Sequence, residues 1–230
     1  MKLPRLISGI LIRRYKRFLA DVILEDGSTV TIYCPNTGSM KGCATPGSSV
    51  FFSLSSNSAR KYPYTWELVM VNGFWVGINT ALPNLLVHEA ITNGTVSDLQ
   101  GYTSIRPEVP YGEHSRIDLL LEGPAERCFV EVKNVTMLEN NRALFPDAVT
   151  TRGQKHLNEL INVVRNGDRG VIFFTVQRGD GDSVSPADCI DPEYGRLLRL
   201  AVACGVEAFA YRASVSPNEI ALTKRLPVIL

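Results

Sequence analysis

Between Leu6 and Thr80 the chain runs in short β-type segments separated by turn signals, and that texture confines its first third to an all-β unit. The segments are Leu6–Ile12, Phe18–Leu24, Val30–Cys34, Val50–Leu54, Trp66–Val71 and Phe74–Ile78. Glu25-Asp26-Gly27-Ser28 and Val71-Asn72-Gly73-Phe74 carry hairpin chemistry, because Asp-Gly and Asn-Gly accept the positive φ angles of tight turns. So many short strands leave sheet edges open unless the sheet closes. A small barrel closes it, and the oligonucleotide-binding barrel is one such solution.

After Pro83 the pattern changes, which predicts two domains, 1–83 and 84–230. Asn84–Thr92 reads as a short helix, followed by strands at Ile105–Val109, Arg116–Leu121 and Cys128–Val132. In Thr151–Asn166 the residues Gly153, Leu157, Leu160, Ile161 and Val164 form one apolar helical stripe, with Gly167 as its stop signal. The apolar run Val171–Val176 reads as a buried strand, Pro192–Cys204 as a helix and Val206–Tyr211 as a strand. Strands alternating with helices indicate an α/β second domain. A hydrophobic content of 45% is enough for two cores.

The residues with the most chemistry in them lie on the strands around Gly123-Pro124-Ala125-Glu126. With that tetrapeptide as the loop, Glu122 pairs with Arg127, and continuing the register sets Asp118 opposite Glu131. Cross-strand neighbours have Cβ atoms about 4.5–5.5 Å apart, close enough for two carboxylates to share a divalent cation. Alternation puts Lys133 on the same face as Glu131. Two carboxylates that hold a metal and an ammonium beside them are what phosphodiester hydrolysis asks for. The competing reading is a solvated hairpin face of alternating charge. A solvated face usually carries more polar neighbours than Leu119-Leu120-Leu121 after Asp118 and Phe129-Val130 before Glu131, which weighs toward the site without deciding it. Gln154, bordering the helical stripe, and Glu89, on the short helix, are the further candidates, the second as a third metal carboxylate. A glutamine hydrogen-bonded to backbone and an inert surface glutamate are the competing readings of these two.

Net charge is only +1, so attraction for a polyanion must come from local clusters. Arg13, Arg14, Tyr15, Lys16 and Arg17, followed by Phe18, form one; Arg60, Lys61 and Tyr62, followed by Pro63-Tyr64, form another. Cations neutralise phosphates and rings stack on bases, so both clusters are DNA-contact candidates, against the alternative of charge that guards an edge strand. Cys34-Pro35-Asn36-Thr37-Gly38-Ser39-Met40 reads equally as a phosphate-approaching loop or as plain turn chemistry. His88, His114 and His156 lack a zinc-ligand spacing, and His156 reads as structural. The five cysteines form no C-x-x-C pair and follow no secretory leader, so they read as reduced thiols of a cytoplasmic protein. No apolar run is long enough to span a bilayer.

Taken together, these residues make the chain resemble the sugar fermentation stimulation protein A family. The resemblance runs through Arg14-Tyr15-Lys16-Arg17-Phe18-Leu19-Ala20-Asp21, Cys34-Pro35-Asn36-Thr37-Gly38, Arg60-Lys61-Tyr62-Pro63, Ser115-Arg116-Ile117-Asp118, Glu131-Val132-Lys133-Asn134-Val135-Thr136 and Phe145-Pro146-Asp147-Ala148 through Arg152-Gly153-Gln154-Lys155-His156-Leu157. It implies an N-terminal oligonucleotide-binding (OB) barrel, a C-terminal restriction-endonuclease-like domain of the PD-(D/E)XK type, largely sequence-independent DNA binding and a link to regulation of maltose metabolism. The signature of that nuclease superfamily maps onto Asp118, Glu131 and Lys133, with Gln154 resembling a helix glutamine and Glu89 the variable upstream acid of some members. The expectation is therefore a DNA-binding protein with a Mg²⁺- or Mn²⁺-dependent nuclease-type site, no membrane partner and a homodimer as the candidate assembly. The alternative is a DNA-binding regulator that keeps the nuclease fold as a scaffold. A sugar-metabolising enzyme would need a small-molecule motif that the chain lacks.

Overall fold

The computed structural model describes residues 1–112 and 115–230, so His114 lies outside the described residues. Its first domain is a six-stranded sheet of β1 (Leu6–Tyr15), β2 (Leu19–Ile23), β3 (Thr29–Tyr33), β4 (Ser49–Leu54), β5 (Tyr64–Val71) and β6 (Phe74–Gly77). The sheet runs in the order β3-β2-β1-β4-β5-β6 and closes through a parallel contact of Tyr33 with Thr65. The turn at 71–74 forms as its sequence requires, with Asn72 and Gly73 both left-handed at φ 50° and 84°. Inward-facing Leu11, Val22, Ile32, Phe52 and Trp66 fill the barrel. β1 is longer than the sequence suggests: Arg13, Arg14 and Tyr15 continue it, and the reversal falls on Lys16 and Arg17, also left-handed at φ 50° and 65°.

The second domain is built on a six-stranded mixed sheet. Its strands are β7 (Ser104–Tyr111), β8 (Ser115–Glu122), β9 (Arg127–Val135), β12 (Arg169–Val176), β14 (Glu207–Val215) and β15 (Ile220–Leu226), in the order β15-β14-β12-β9-β8-β7. A small second sheet joins β10 (Met137–Glu139), β11 (Arg142–Phe145) and β13 (Ser183–Pro186). α1 (Pro83–Thr92) covers one face of the large sheet, while α2 (Thr151–Arg165) and α3 (Pro192–Ala203) cover the other. Thr150 caps α2 by accepting from Gly153 N, and Leu157, Leu160 and Ile161 of its apolar stripe are buried. β10, β11, β13 and β15 have no counterpart among the strands read from the sequence. The first three are only three or four residues long, below the length at which alternation can be recognised. No helix among the described residues is long and apolar enough to cross a membrane.

The barrel and the α/β domain share a core and are tied by polar contacts. Leu68 of β5 is fully buried in the cluster that contains Leu86, Val87, Phe173 and Leu222, with Leu6, Phe51 and Trp75 of the barrel packed around it. Met40 N and Ser39 Oγ donate to Asp147 Oδ2 at 2.9 and 3.1 Å, and Gly77 N donates to Gln177 O at 2.9 Å. The Asp147 carboxylate lies so close to the loop backbone that a Cβ on Gly38 would be 2.8 Å from its Oδ1. Residues preceding the barrel belong to the other side: Leu3 N donates to Asn218 O beside β15. A shared core makes the domains unfold together. Leu68→Ala is expected to lower stability by about 2–5 kcal/mol within a single calorimetric transition; separate melting of two units would show that the core does not couple them.

Candidate active site

The β8–β9 hairpin takes the register expected from its four-residue loop, pairing Glu122 with Arg127 and ending at Leu119 with Val130. There the ladder stops, one pair short of Asp118 and Glu131. Val132 N–H, freed from the ladder, donates to Asp118 Oδ2 at 2.7 Å, and Asn84 Nδ2 donates to Oδ1 at 2.9 Å. Asn84 lies in the first turn of α1, so the helix on one face of the sheet reaches round to orient the carboxylate. Glu131 is set from the other side, because β9 pairs in parallel with the buried strand β12, Ile172 facing Glu131 and Phe174 facing Lys133.

Glu131 is 2% exposed. Lys133 Nζ lies 2.6 Å from its Oε1, and His156 Nδ1 hydrogen-bonds the same oxygen. Arg152 Nε donates weakly to His156 Nε2 at 3.4 Å, so the tautomer with its proton on Nδ1 satisfies both ring nitrogens. Glu131 Oε2 is left buried without a hydrogen-bond partner. Burial by itself would raise the Glu131 carboxyl, but the His156 hydrogen bond and the Lys133 ammonium outweigh it and hold the group below the usual range. Asp118 goes the other way. Burial first, and then the charge of Glu131, push it up to about 6, against the partial relief of the Val132 and Asn84 hydrogen bonds. The two carboxylates, Lys133, Arg152 and His156 line a cleft of about 440 Å³, whose opposite wall is the barrel loop Asn36-Thr37-Gly38.

Two expectations need correction. Gln154 is not in this cleft: its Nε2 donates to Asp191, the residue that caps α3, at 2.9 and 3.1 Å, and it lines a separate cavity on the outer side of α2. Two positions apart on a helix means about 200° of rotation, so the residue of α2 that reaches the carboxylates is His156. His156 is buried with the stripe residue Leu157, and a polar ring on a core-facing position was the available signal. Glu89 is likewise elsewhere, ion-paired with the amino group of Met1 at 2.7 Å. At the opposite end of α1, Asn84 is the residue that touches Asp118.

The basic clusters are partly internal. Arg14 donates to the carbonyls of Arg17, Asn36 and Gly38 at 2.7, 2.8 and 2.9 Å, so it braces the cleft-lining loop. Arg13 and Tyr15 both bind the Asp21 carboxylate. Lys16 and Arg17 are exposed at the hairpin tip. Arg60 lies over the Tyr33 ring and donates to Thr65 Oγ1, and Lys61 lies over Tyr62. The pairings Tyr15–Leu19, Leu19–Tyr33 and Tyr33–Thr65 put both clusters at one end of the barrel, the end from which the Asn36–Gly38 loop extends into the cleft.

An Asp118 carboxyl at about 6, above its ordinary 3.8, means that the folded chain keeps a proton the unfolded chain has lost between those values. Stability therefore falls as pH rises through that window, and the cost is complete above it. Asp118→Asn removes the charge. Its amide oxygen can still accept from Val132 N while Asn84 turns its own amide over. In chelator at pH 8 the variant is expected to be more stable than wild type by about 1–2 kcal/mol, the gain vanishing near pH 4. Denaturant titrations at the two pH values check this, and a variant less stable than wild type at pH 8 would refute it.

Comparison with known proteins agrees with this architecture along the whole chain. The family profile described as the SfsA N-terminal OB domain matches residues 12–78, and that described as the sugar fermentation stimulation protein RE domain matches residues 81–219. A sugar fermentation stimulation protein homolog of Pelobacter propionicus is 75% identical over 230 residues, covering all of both chains. One of Geobacter metallireducens is 71% identical over 232 residues, again over the full length of both. The solved structure of Pyrococcus furiosus SfsA in complex with Ca²⁺ superposes with a TM-score of 0.91 at 28% identity, covering 100% of this chain and 98% of that one. An OB barrel joined to a restriction-endonuclease-like α/β domain, matched at this identity over its full length, means that the chain belongs to the sugar fermentation stimulation protein (SfsA) family.

Proposed function

We propose that the protein binds DNA and hydrolyses its phosphodiester bonds with the help of a divalent cation, Mg²⁺ or Mn²⁺, held by Asp118 and Glu131. The observation that carries this reading is Glu131 Oε2, a buried carboxylate oxygen that neither Lys133 nor His156 engages. An unpartnered buried oxygen is costly, and so is a neighbouring carboxylate whose charge it opposes; a shared cation relieves both. Among the described residues no three Asp, Glu, His or Cys side chains are gathered around one point, so the two carboxylates would leave several coordination positions to water and phosphate, as suits Mg²⁺. The Ca²⁺ bound by the Pyrococcus furiosus relative is also an oxygen-seeking ion, which supports the same class of ligand here.

When bound, the cation supplies charge neutralisation and an activated water. The remaining work falls to the chain. Lys133, about one-tenth exposed and held against Glu131, presents an ammonium where negative charge builds on the phosphorus centre. His156 locks Glu131 and Lys133 so that neither has to reorganise during the reaction. Arg152, exposed on the cleft wall, is available to a phosphate oxygen. DNA would run from Lys16 and Arg17 at the barrel tip, along the loop braced by Arg14, into the cleft. Arg60, Lys61 and Tyr62 flank that path. Five unpaired cysteines are compatible with a cytoplasmic setting.

Two measurements test the reading. Lys133→Gln keeps a hydrogen-bond donor beside Glu131 but loses the charge, and should lower Mn²⁺-dependent cleavage of linear or single-stranded DNA by about 10²-fold or more with DNA affinity unchanged. Absence of cleavage by wild type in Mg²⁺ and Mn²⁺ alike would leave the nuclease-like domain as a scaffold for DNA binding. Separately, Lys16→Ala with Arg17→Ala should flatten the log–log salt dependence of DNA binding by up to about 0.9 per lost phosphate contact. A slope equal to that of wild type would remove the barrel tip from the interface.

A further inference from the structure

Glu108 plays no part in the chemistry above, yet its position is specified closely. It lies on the edge strand β7, whose pairings Pro107 with Leu119 and Val109 with Ile117 bring it directly across from Asp118. Every other residue of β7 is paired, and Glu108 is passed over because its backbone is left-handed, at φ 54°. A residue with a Cβ rarely adopts that conformation, and Arg116 Nη1 holds the turned peptide by donating to the Glu108 carbonyl at 2.8 Å. The side chain is exposed and lines the same cleft as Asp118 and Glu131. Its carboxylate has no hydrogen-bond or ion-pair partner among the described residues.

Three carboxylates thus face one cleft, and one of them, Glu131, presents a buried oxygen without a partner. An octahedral cation held by two carboxylates keeps several water ligands, and those waters need acceptors to orient them. We infer that Glu108 is the outer acid of the cation site, accepting hydrogen bonds from water bound to an ion between Asp118 and Glu131. This is the third-carboxylate role that the sequence suggests for Glu89, which the fold instead commits to Met1. The inference rests on the cation reading of the preceding subsection.

Calorimetric titration of MnCl₂ into the metal-free full-length protein separates the two. Glu108→Gln should weaken Mn²⁺ binding by about tenfold, the lower end of what loss of an orienting outer group costs a metal site. Its melting temperature in chelator should stay at the wild-type value, since the side chain is exposed. Glu108→Gly should show the same loss of affinity with an equal or higher melting temperature, because glycine accepts the left-handed backbone without strain. Glu126→Gln, on the distant hairpin turn, controls for a general loss of negative charge and should bind as wild type does. Mn²⁺ affinity of Glu108→Gln indistinguishable from wild type, while Asp118→Asn loses binding, would overturn the role of Glu108 and leave the cation reading standing. Equal binding by wild type and Asp118→Asn would remove the cation site itself, and the Glu108 inference with it.

Discussion

The hydrogen bond from Val132 N–H to Asp118 Oδ2 is the contact on which the rest of the site depends. A central hairpin in a buried sheet would ordinarily continue its ladder, satisfying each amide with a carbonyl. Here the ladder ends at Leu119 with Val130, and a side-chain carboxylate takes the place of the missing carbonyl. That substitution brings a charge into the sheet, at a point where β8 and β9 separate enough to leave a cleft. Asn84, from α1 on one face, and His156, from α2 on the other, then converge on the opening. The same interruption places Asp118 where burial and the charge of Glu131 make its negative charge unfavourable, at a cost in stability.

Asp118 and Glu131, on neighbouring strands, take opposite electrostatic characters because their surroundings differ. Glu131 is surrounded by donors: Lys133 and His156 both address Oε1. Asp118 has only neutral hydrogen-bond donors, and it feels the charge of Glu131. One group is held ionised and the other is poised near 6. Separation of this kind between neighbouring acids is a recurring mark of reactive sites, although structural ion pairs also produce it.

The barrel builds part of the cleft itself. Its Asn36-Thr37-Gly38 loop is a wall of the cleft, Asp147 of the α/β domain clamps the loop through Ser39 and Met40, and Arg14 braces it from behind. Arg14 therefore acts inside the protein, although its place in a run of cations suggests a surface role. Charge in a sequence does not tell whether a guanidinium meets solvent or three backbone carbonyls. The Cys34–Met40 segment, which sequence leaves balanced between turn chemistry and a phosphate-approaching loop, forms a local turn, Asn36 Oδ1 accepting from Gly38 N, and that turn lines the cleft.

What the sequence determined by itself is local. Asn72-Gly73 admits the left-handed backbone of a hairpin, Gly123–Glu126 is the right length for a four-residue loop, and that loop sets the register which directs Asp118 and Glu131 toward each other. The apolar stripe of α2 and the all-β character of the first domain are equally matters of periodicity over a few turns or strands. Only the tertiary structure decided that the ladder would stop before Asp118, that His156 and not Gln154 would reach the carboxylates, that Glu89 would turn to Met1, and that a barrel loop would close the cleft. The physical reason is separation along the chain: His156 meets Glu131 across 25 positions and Met40 meets Asp147 across 107. Hydrophobic periodicity reports which face of an element is buried, and it is silent on which polar side chain at the rim of that face meets a partner from another element.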